Sequence, residues 1–402
     1  LTNKGVRILL VPFQINLLGD QAFGLLGFYA LIAGFMAFLD LGLSITANRE
    51  VARLDLESTD GKHEIQDLVR TFEIPYWMIG LLLGGVLALS ANWIADYWIA
   101  APDLSHDTVV FAVRVIGALL AARWPILLYR SILLGLQYQV RANVLGIAVE
   151  VLNGVGTLGL LLIRPDVKLF FLWQLLLGIV EILGHVALTW YSVRDRRLAR
   201  PKFRLHILKR IWRYALGVNT ASLLGAVFGR ADGLILSKMY PIAFLGYYSI
   251  AQRVPPLLGI FPASSIPATT PSLIAQYERG DEREMSRLYH RQMRWLSFIC
   301  VGMSGALAAF SLPILLIWTQ SPSVAEATAV TFALVAIGAA LETMTNPVNQ
   351  LSLACGFTRP PIVVSFVTGI IVAVGTLILA PRLGIAGAAL AWCTARIAIY
   401  FA

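Results

Sequence analysis

Charge is scarce in this sequence. Asp, Glu, Lys and Arg make up 14% of its 402 residues, and apolar residues 58%. A water-soluble domain carries about 25% charged residues, so a soluble globule is excluded. Cysteine is scarcer still: Cys300, Cys355 and Cys393 are an odd number with no CxxC spacing. That excludes a disulfide framework or a thiolate metal site and leaves small packing residues. The five histidines are scattered. No P-loop, nucleophile elbow or metal-ligand spacing occurs, which argues against an enzyme and against an ATP-driven pump within the chain. Strict apolar–polar alternation is missing too, so a β-barrel does not fit. No cleavable signal peptide is visible. The chain opens at Leu1 and closes inside an apolar run at Ala402, so further helices are expected beyond its ends.

What is present is a series of long apolar stretches rich in Leu, Ala, Gly and Ile. Each spanning helix needs about 20 residues, and helices satisfy their own backbone in lipid. The expected fold is therefore an all-α polytopic membrane protein of about twelve spans. The first, near Val6–Leu18, is short and carries Arg7, Gln14 and Asn16; Phe23–Ala47 is clear. A charged loop is expected over Arg49–Arg70. Further spans are expected near Ile74–Ile94, Val109–Leu134, Val140–Ile163, Leu169–Tyr191, Tyr214–Ser237, Ala243–Ile274, Trp295–Trp318, Ala325–Ala354, Pro361–Ala380 and Ile385–Ala402.

The net charge of +9 does not point to nucleic acid, because the basic residues sit in short loops between apolar runs. Twenty-three Lys and Arg fall in one set of alternate loops; only Arg164, Lys168, Lys238 and Arg382 fall in the other. The positive-inside rule then places both termini and the basic linker in the cytoplasm. A short repeat divides the chain: Leu26–Leu31 reads LGFYAL and Leu245–Ile250 reads LGYYSI. Each opens the second span of its half. We expect an N-terminal six-helix bundle over 1–192, a basic cytoplasmic linker over 193–213, and a C-terminal six-helix bundle over 214–402. Equal span numbers relate the halves by a pseudo-two-fold axis along the membrane normal.

Charges at membrane depth cost at least about 2.5–3.5 kcal/mol each, so they face a cavity or a partner. Five such cations remain after the loops: Arg114, Arg123, Arg230, Arg253 and Arg396. Asp40, Glu150, Glu181, Asp232 and Glu342 are the acids that could pair with them. Arginine's planar fork suits a phosphate, which makes an anionic cargo plausible, with Arg230 and Arg253 the better candidates. Polar stripes at helical spacing point the same way: Asn219, Ser222 and Arg230; Glu342, Asn346, Asn349 and Gln350; Asp40, Ser44 and Asn48. Such stripes line a watery path or a helix contact. The expected lumen set is Asn219, Arg123, Arg230, Arg253, Glu342, Asn346, Asn349 and Gln350, with Asp40, Asn48, Arg49, Pro255 and Pro256 structural or gating. The five prolines between Pro255 and Pro271 make that span the expected bending element. Glu181 and His185, at i and i+4, could pass a proton or form a local pair.

The run Leu18-Gly19-Asp20-Gln21-Ala22-Phe23-Gly24-Leu25-Leu26-Gly27-Phe28-Tyr29 resembles the opening of the Wzx-type O-antigen and polysaccharide flippases. These belong to the multidrug/oligosaccharidyl-lipid/polysaccharide exporter superfamily. Leu39–Leu43 and Asn48–Arg53 are similar to the end of that family's second helix and its loop; Ala231–Leu236 and Leu245–Ala251 resemble its seventh and eighth helices. The resemblance implies export of undecaprenyl-diphosphate-linked oligosaccharide repeat units across the bacterial inner membrane, by alternating access, for O-antigen (lipopolysaccharide), capsule or exopolysaccharide synthesis. Expected partners are that lipid-linked oligosaccharide, membrane lipids, a polysaccharide polymerase and a chain-length regulator, with H+ or Na+ as a coupling ion and no cofactor. Two alternatives stand beside it: a multidrug cation antiporter of the same superfamily, and a non-transporting scaffold of a glycan assembly complex.

Overall fold

A computed structural model describes residues 2–40, 42–54, 58–193, 201–205, 230–260, most of 269–279, 280–354 and 359–401. Among the described residues every regular element is helical and there is no strand. The chain divides into two compact units. One is Leu1–Leu25 with Ile32–Leu223; the other is Leu26–Leu31 with Leu224–Ala402. The LGFYAL stretch of the first half is thus counted with the second unit.

The first unit holds α1 (Thr2–Leu18), most of α2 (Asp20–Leu39), α3 (Leu43–Ala52), α4 (Thr59–Leu89), α5 (Ala91–Tyr97), α6 (His106–Arg123), α7 (Ile126–Gly135), α8 (Gln139–Ile163) and α9 (Val167–Val193). The expected second span to Ala47 is not one helix. It stops at Leu39, Gly42 takes φ +69°, and α3 begins at Leu43. The expected loop Arg49–Arg70 is mostly helical as well: α3 runs to Ala52 and Ser58 caps α4 by accepting from the Gly61 amide at 3.0 Å. A serine hydroxyl satisfies an otherwise orphaned N–H there, which is why the helix starts so early. The expected Val109–Leu134 span is present as one span over His106–Gly135, in which α6 and α7 are separated only at Trp124–Pro125, where Pro125 lacks the N–H that would continue the ladder. Gly84 and Gly117 let α4 and α6 touch backbone to backbone; a Cβ on either would overlap the other's carbonyl oxygen.

The second unit holds α10 (Ala231–Met239), α11 (Ile242–Ala251), a 3-10 helix (Pro255–Gly259), α12 (Glu282–Ala309), α13 (Ser311–Thr319), α14 (Pro322–Ala354), α15 (Arg359–Leu383) and α16 (Ile385–Phe401). Of the expected Tyr214–Ser237 span, residues 214–229 lie outside the described set. The proline-rich span is broken: α11 ends at Ala251 and the chain turns into the 3-10 helix at Pro255. Leu258 of that short helix packs on Leu296 and Cys300 of α12 and on Ala339, Ala340 and Met344 of α14. Pro262, Pro267 and Pro271 lie outside the described residues. The Trp295–Trp318 span also bends, by 69° between α12 and α13, just before Pro313. Its start is extended by amphipathic helix back to Glu282.

Among the described residues, six helices are long and apolar enough to cross a membrane, and α12 with α13 makes a seventh if a bent pair counts as one. Ile8–Leu18, Asp20–Phe35 and Ile385–Tyr400 are shorter apolar helices. The long helices leave large apolar side chains on the outside, among them Leu82, Leu89, Val155 and Leu162. In water that surface would be unfavourable by about 25 cal/mol per Å²; in hydrocarbon it is the expected exterior. The protein is a multi-pass membrane protein.

Candidate functional site

The second unit contains a small cleft of about 40 Å³. Arg230, Asp232, Tyr248, Ser249 and Gln252 give it polar walls, and Gly27, Ala30, Leu31, Gly233 and Leu245 give it apolar ones. The two repeat motifs meet here. A Cβ placed on Gly27 would lie 3.0 Å from the carbonyl oxygen of Leu245 and 3.4 Å from the amide nitrogen of Gly246. A side chain there would require the Leu245 backbone to shift by a few tenths of an ångström, so the paired LG dipeptides have a packing reason. The cleft as it stands has room for about one or two water-sized groups.

Asp232 organises the polar side. Its carboxylate accepts from the Tyr248 hydroxyl, from the Gly233 amide at 2.7 Å, and from Gln252 Nε2 at 3.5 Å. Arg230 precedes α10 as its N-cap residue, with φ −122°, so it does not share a regular helix face with Asp232. No direct hydrogen bond or ion pair joins the two among the described residues; Arg230 acts on the carboxylate through its field. Arg230 lines the cleft while Asp232 is held by neutral donors.

The other expected lumen residues are elsewhere. Arg253 is half-buried in the turn after α11, and Asn346 and Asn349 are half-buried on α14; none of them lines this cleft. Gln350 belongs to α14, with its side chain outside the described set, and Asn219 lies outside it altogether. Glu342 is paired yet partly exposed: Arg396 Nη2 donates to its Oε1 at 2.9 Å, and the Arg396 guanidinium stacks 5.2 Å over Trp392. Arg123 likewise faces Glu181, with Nε to Oε2 at 3.6 Å. Two of the five membrane-depth arginines are therefore ion-paired, as charges far from water require. Arg114 stands exposed on α6.

Because Glu181 gives its carboxylate to Arg123, the expected carboxylate–imidazole pair with His185 does not form. His185 Nδ1 instead contacts the Glu181 backbone oxygen at 2.8 Å. Asp40 has a structural setting. It accepts from the Tyr76 hydroxyl, and from Ser44 Oγ at 2.7 Å and the Ser44 amide at 3.2 Å, so it pins the α2–α3 break to α4. Asn48 and Arg49 belong to α3 rather than to the end of the second helix. Arg49 falls in the last turn of α3, where a cation complements the helix dipole. Pro255 and Pro256 open the 3-10 helix.

Sequence reasoning missed two buried acids. Glu73 of α4 accepts from Tyr129 at 2.8 Å, Trp190 at 2.7 Å and Arg70 at 3.1 Å. Asp67 accepts from the Lys202 amide at 2.6 Å and from Arg204 Nε, while the Arg204 amide donates to Thr71 at 3.0 Å. The linker residues Pro201–Leu205 are thereby moored to α4. The available signals were the i, i+4 spacing of His63 and Asp67, inside what reads as a loop, and the i, i+3 spacing of Arg70 and Glu73 at its end.

The comparisons agree with this architecture. The chain matches "Inward-facing conformation of a multidrug resistance MATE family transporter of the MOP superfamily" at TM-score 0.72 and 14% identity, covering 99% of this chain and 92% of that one. It matches the lipid II flippase MurJ, in an inward closed conformation, at TM-score 0.74 and 12% identity, covering 99% and 84%. A MOP superfamily transporter from Pyrococcus furiosus, described as having reversed polarity of its binding pocket, matches at TM-score 0.53 and 12% identity over 100% and 94%. At such identities these likenesses show the fold. No functionally curated protein matches the sequence. The profile of one family, described as polysaccharide biosynthesis protein, matches residues 16–321. That is more than half of the chain, and the protein belongs to the polysaccharide biosynthesis protein family.

Proposed function

We propose that this protein is a flippase for undecaprenyl-diphosphate-linked oligosaccharides, moving them outward across the bacterial inner membrane during surface polysaccharide synthesis. The observation that carries this reading is the family match across residues 16–321. The exporter fold it shares with a lipid II flippase accords with it. In this reading the two bundles open alternately, and both termini and the basic linker are cytoplasmic. The lipid tail stays in the bilayer while the diphosphate and sugar cross. Two negative charges moving outward travel down an inside-negative potential, worth roughly 2.3 kcal/mol per charge per 100 mV.

Arg230 is the residue we assign to the diphosphate. It borders a cleft, its neighbour Asp232 is already held by Tyr248, Gly233 and Gln252, and its planar fork matches two phosphate oxygens. The cleft must widen for a cargo to enter, which an alternating-access cycle supplies. The test is mass spectrometry of lipid-linked intermediates after deletion of the gene. An undecaprenyl-diphosphate oligosaccharide should accumulate and vanish on complementation. An unchanged lipid pool together with new drug sensitivity would instead support a multidrug antiporter, the reading favoured by the multidrug transporter among the structural matches.

A further inference from the structure

His185 lies in the middle of α9 and is fully buried. Its Nδ1 sits 2.8 Å from the backbone oxygen of Glu181. A carbonyl oxygen only accepts, so Nδ1 carries the hydrogen of the neutral imidazole. Nε2 is then the basic atom, with its lone pair free to accept a proton. That atom is buried and meets no protein hydrogen-bond partner.

The same is true of two hydroxyls farther along the helix. Thr189 Oγ1 and Ser192 Oγ are buried and also lack protein partners. At about 100° per residue, Glu181, His185, Thr189 and Ser192 fall within about 80° of one helix face. They form a file from the Arg123–Glu181 ion pair to the end of α9 at Val193, where the linker begins. One unsatisfied buried polar atom is a local oddity. Three in register along one face are a set of places for water, which bridges buried polar groups with two to four hydrogen bonds. Hydroxyls and an imidazole relayed by water are also the groups along which a proton moves.

The surrounding helices supply the charges that act on this file. Arg123 of α6 pairs with Glu181, and Arg130 of α7 acts on His185; Glu73 of α4 bonds Trp190, next to Thr189 in sequence, and Glu150 is the buried acid of α8. Gly178 makes the space in which Arg123 crosses α9, since a Cβ there would press on Leu119 and lie 3.5 Å from Arg123 Nε.

We propose that the Glu181–His185–Thr189–Ser192 face of α9 holds a file of ordered water, and that His185 Nε2 is its proton-loading site, filled from the linker end. A hydronium arriving along the file breaks one O–H bond, the Nε2–H bond forms, and water is left. The imidazolium then competes with Arg123 for the Glu181 carboxylate. This rests on the transport reading and names its coupling ion as a proton.

The test begins without cargo. Protein labelled with 15N-histidine, in lipid nanodiscs, is titrated from about pH 8 to about pH 5, the range in which imidazole ordinarily changes charge. His185, assigned by its absence in His185→Gln, should show a protonated Nδ1, a water cross-peak at Nε2, and reversible protonation of Nε2. Thr189→Val, of nearly equal volume, should slow water exchange at Nε2 by about fivefold or more. A dry Nε2, or one that never protonates, overturns the proposal. The second arm uses proteoliposomes and a fluorescent polyprenyl-diphosphate oligosaccharide. His185→Gln should flatten the pH dependence of flipping; an unchanged profile overturns the coupling role. Wild-type protein that flips no cargo at any pH, with the titration intact, refutes the transport reading and leaves the proton site standing.

Discussion

Asp40 and Asp232 are two buried aspartates with nearly the same dress. Each sits beside the start of a short helix and accepts from a tyrosine hydroxyl and a backbone amide: Tyr76 and Ser44 for Asp40, Tyr248 and Gly233 for Asp232. Their surroundings differ. Asp40 is closed in by Ser44 and Tyr76, and Tyr76 packs against Trp124. Asp232 borders a cleft with Arg230, Ser249 and Gln252. The same local chemistry thus serves as a pin in one unit and as one wall of a cleft in the other. A satisfied buried carboxylate says little about function by itself; the open cation beside it says more.

The largest effect that separates the two should come from Asp40→Ala. It leaves the Tyr76 hydroxyl and the Ser44 amide without their acceptor, at about 1–3 kcal/mol per stranded group. Thermal unfolding in detergent should show a drop of several degrees, with reduced membrane levels. Asp232→Asn keeps an acceptor for Tyr248 and should unfold within about 1 kcal/mol of wild type while reducing export. Matching stability losses in both variants would erase the distinction.

A middle-sized effect is expected at the ion pair in the first unit. Glu181→Gln leaves Arg123 at membrane depth without its anion. The single variants Arg123→Gln and Glu181→Gln should each destabilise more than half as much as the double variant, with a coupling of about 1–3 kcal/mol in a double-mutant cycle. Additive losses would mean that the 3.6 Å contact carries no energy.

The smallest effect is expected at the linker mooring. Asp67 is fully buried, but Arg204 is partly exposed, so water screens their bond. Arg204→Ala should cost about 1 kcal/mol or less in unfolding yet hasten proteolytic cleavage near residue 201. Unchanged cleavage would show that the backbone bonds to Lys202 and Arg204 hold the linker unaided.

Much of this was legible in the sequence. Apolar length gave the spans, because backbone in lipid has few alternatives to helix, and Pro255 and Pro256 marked the break after α11. The loop over Arg49–Arg70 was misread because charge density hid helical spacing: Ser58 caps a helix whose first turns are polar and whose later turns are not. The fate of individual arginines was not legible. Arg123, Arg230 and Arg396 look alike in sequence, yet the partners of Arg123 and Arg396 come from helices tens of residues away, Glu181 and Glu342. Asp232 is one of the acids that could pair with a membrane-depth arginine, but Tyr248, sixteen residues on, donates to it instead.

Arg230 is the residue on which export is expected to depend most directly. Flipping of a fluorescent undecaprenyl-diphosphate oligosaccharide should be measured in proteoliposomes holding equal amounts of wild-type, Arg230→Gln and Arg230→Lys protein. We expect at least a tenfold loss for Arg230→Gln, about 1.4 kcal/mol or more, and a partial recovery for Arg230→Lys, which keeps the charge and loses the fork. Wild-type rates from folded Arg230→Gln protein would contradict the assignment of Arg230 to the diphosphate.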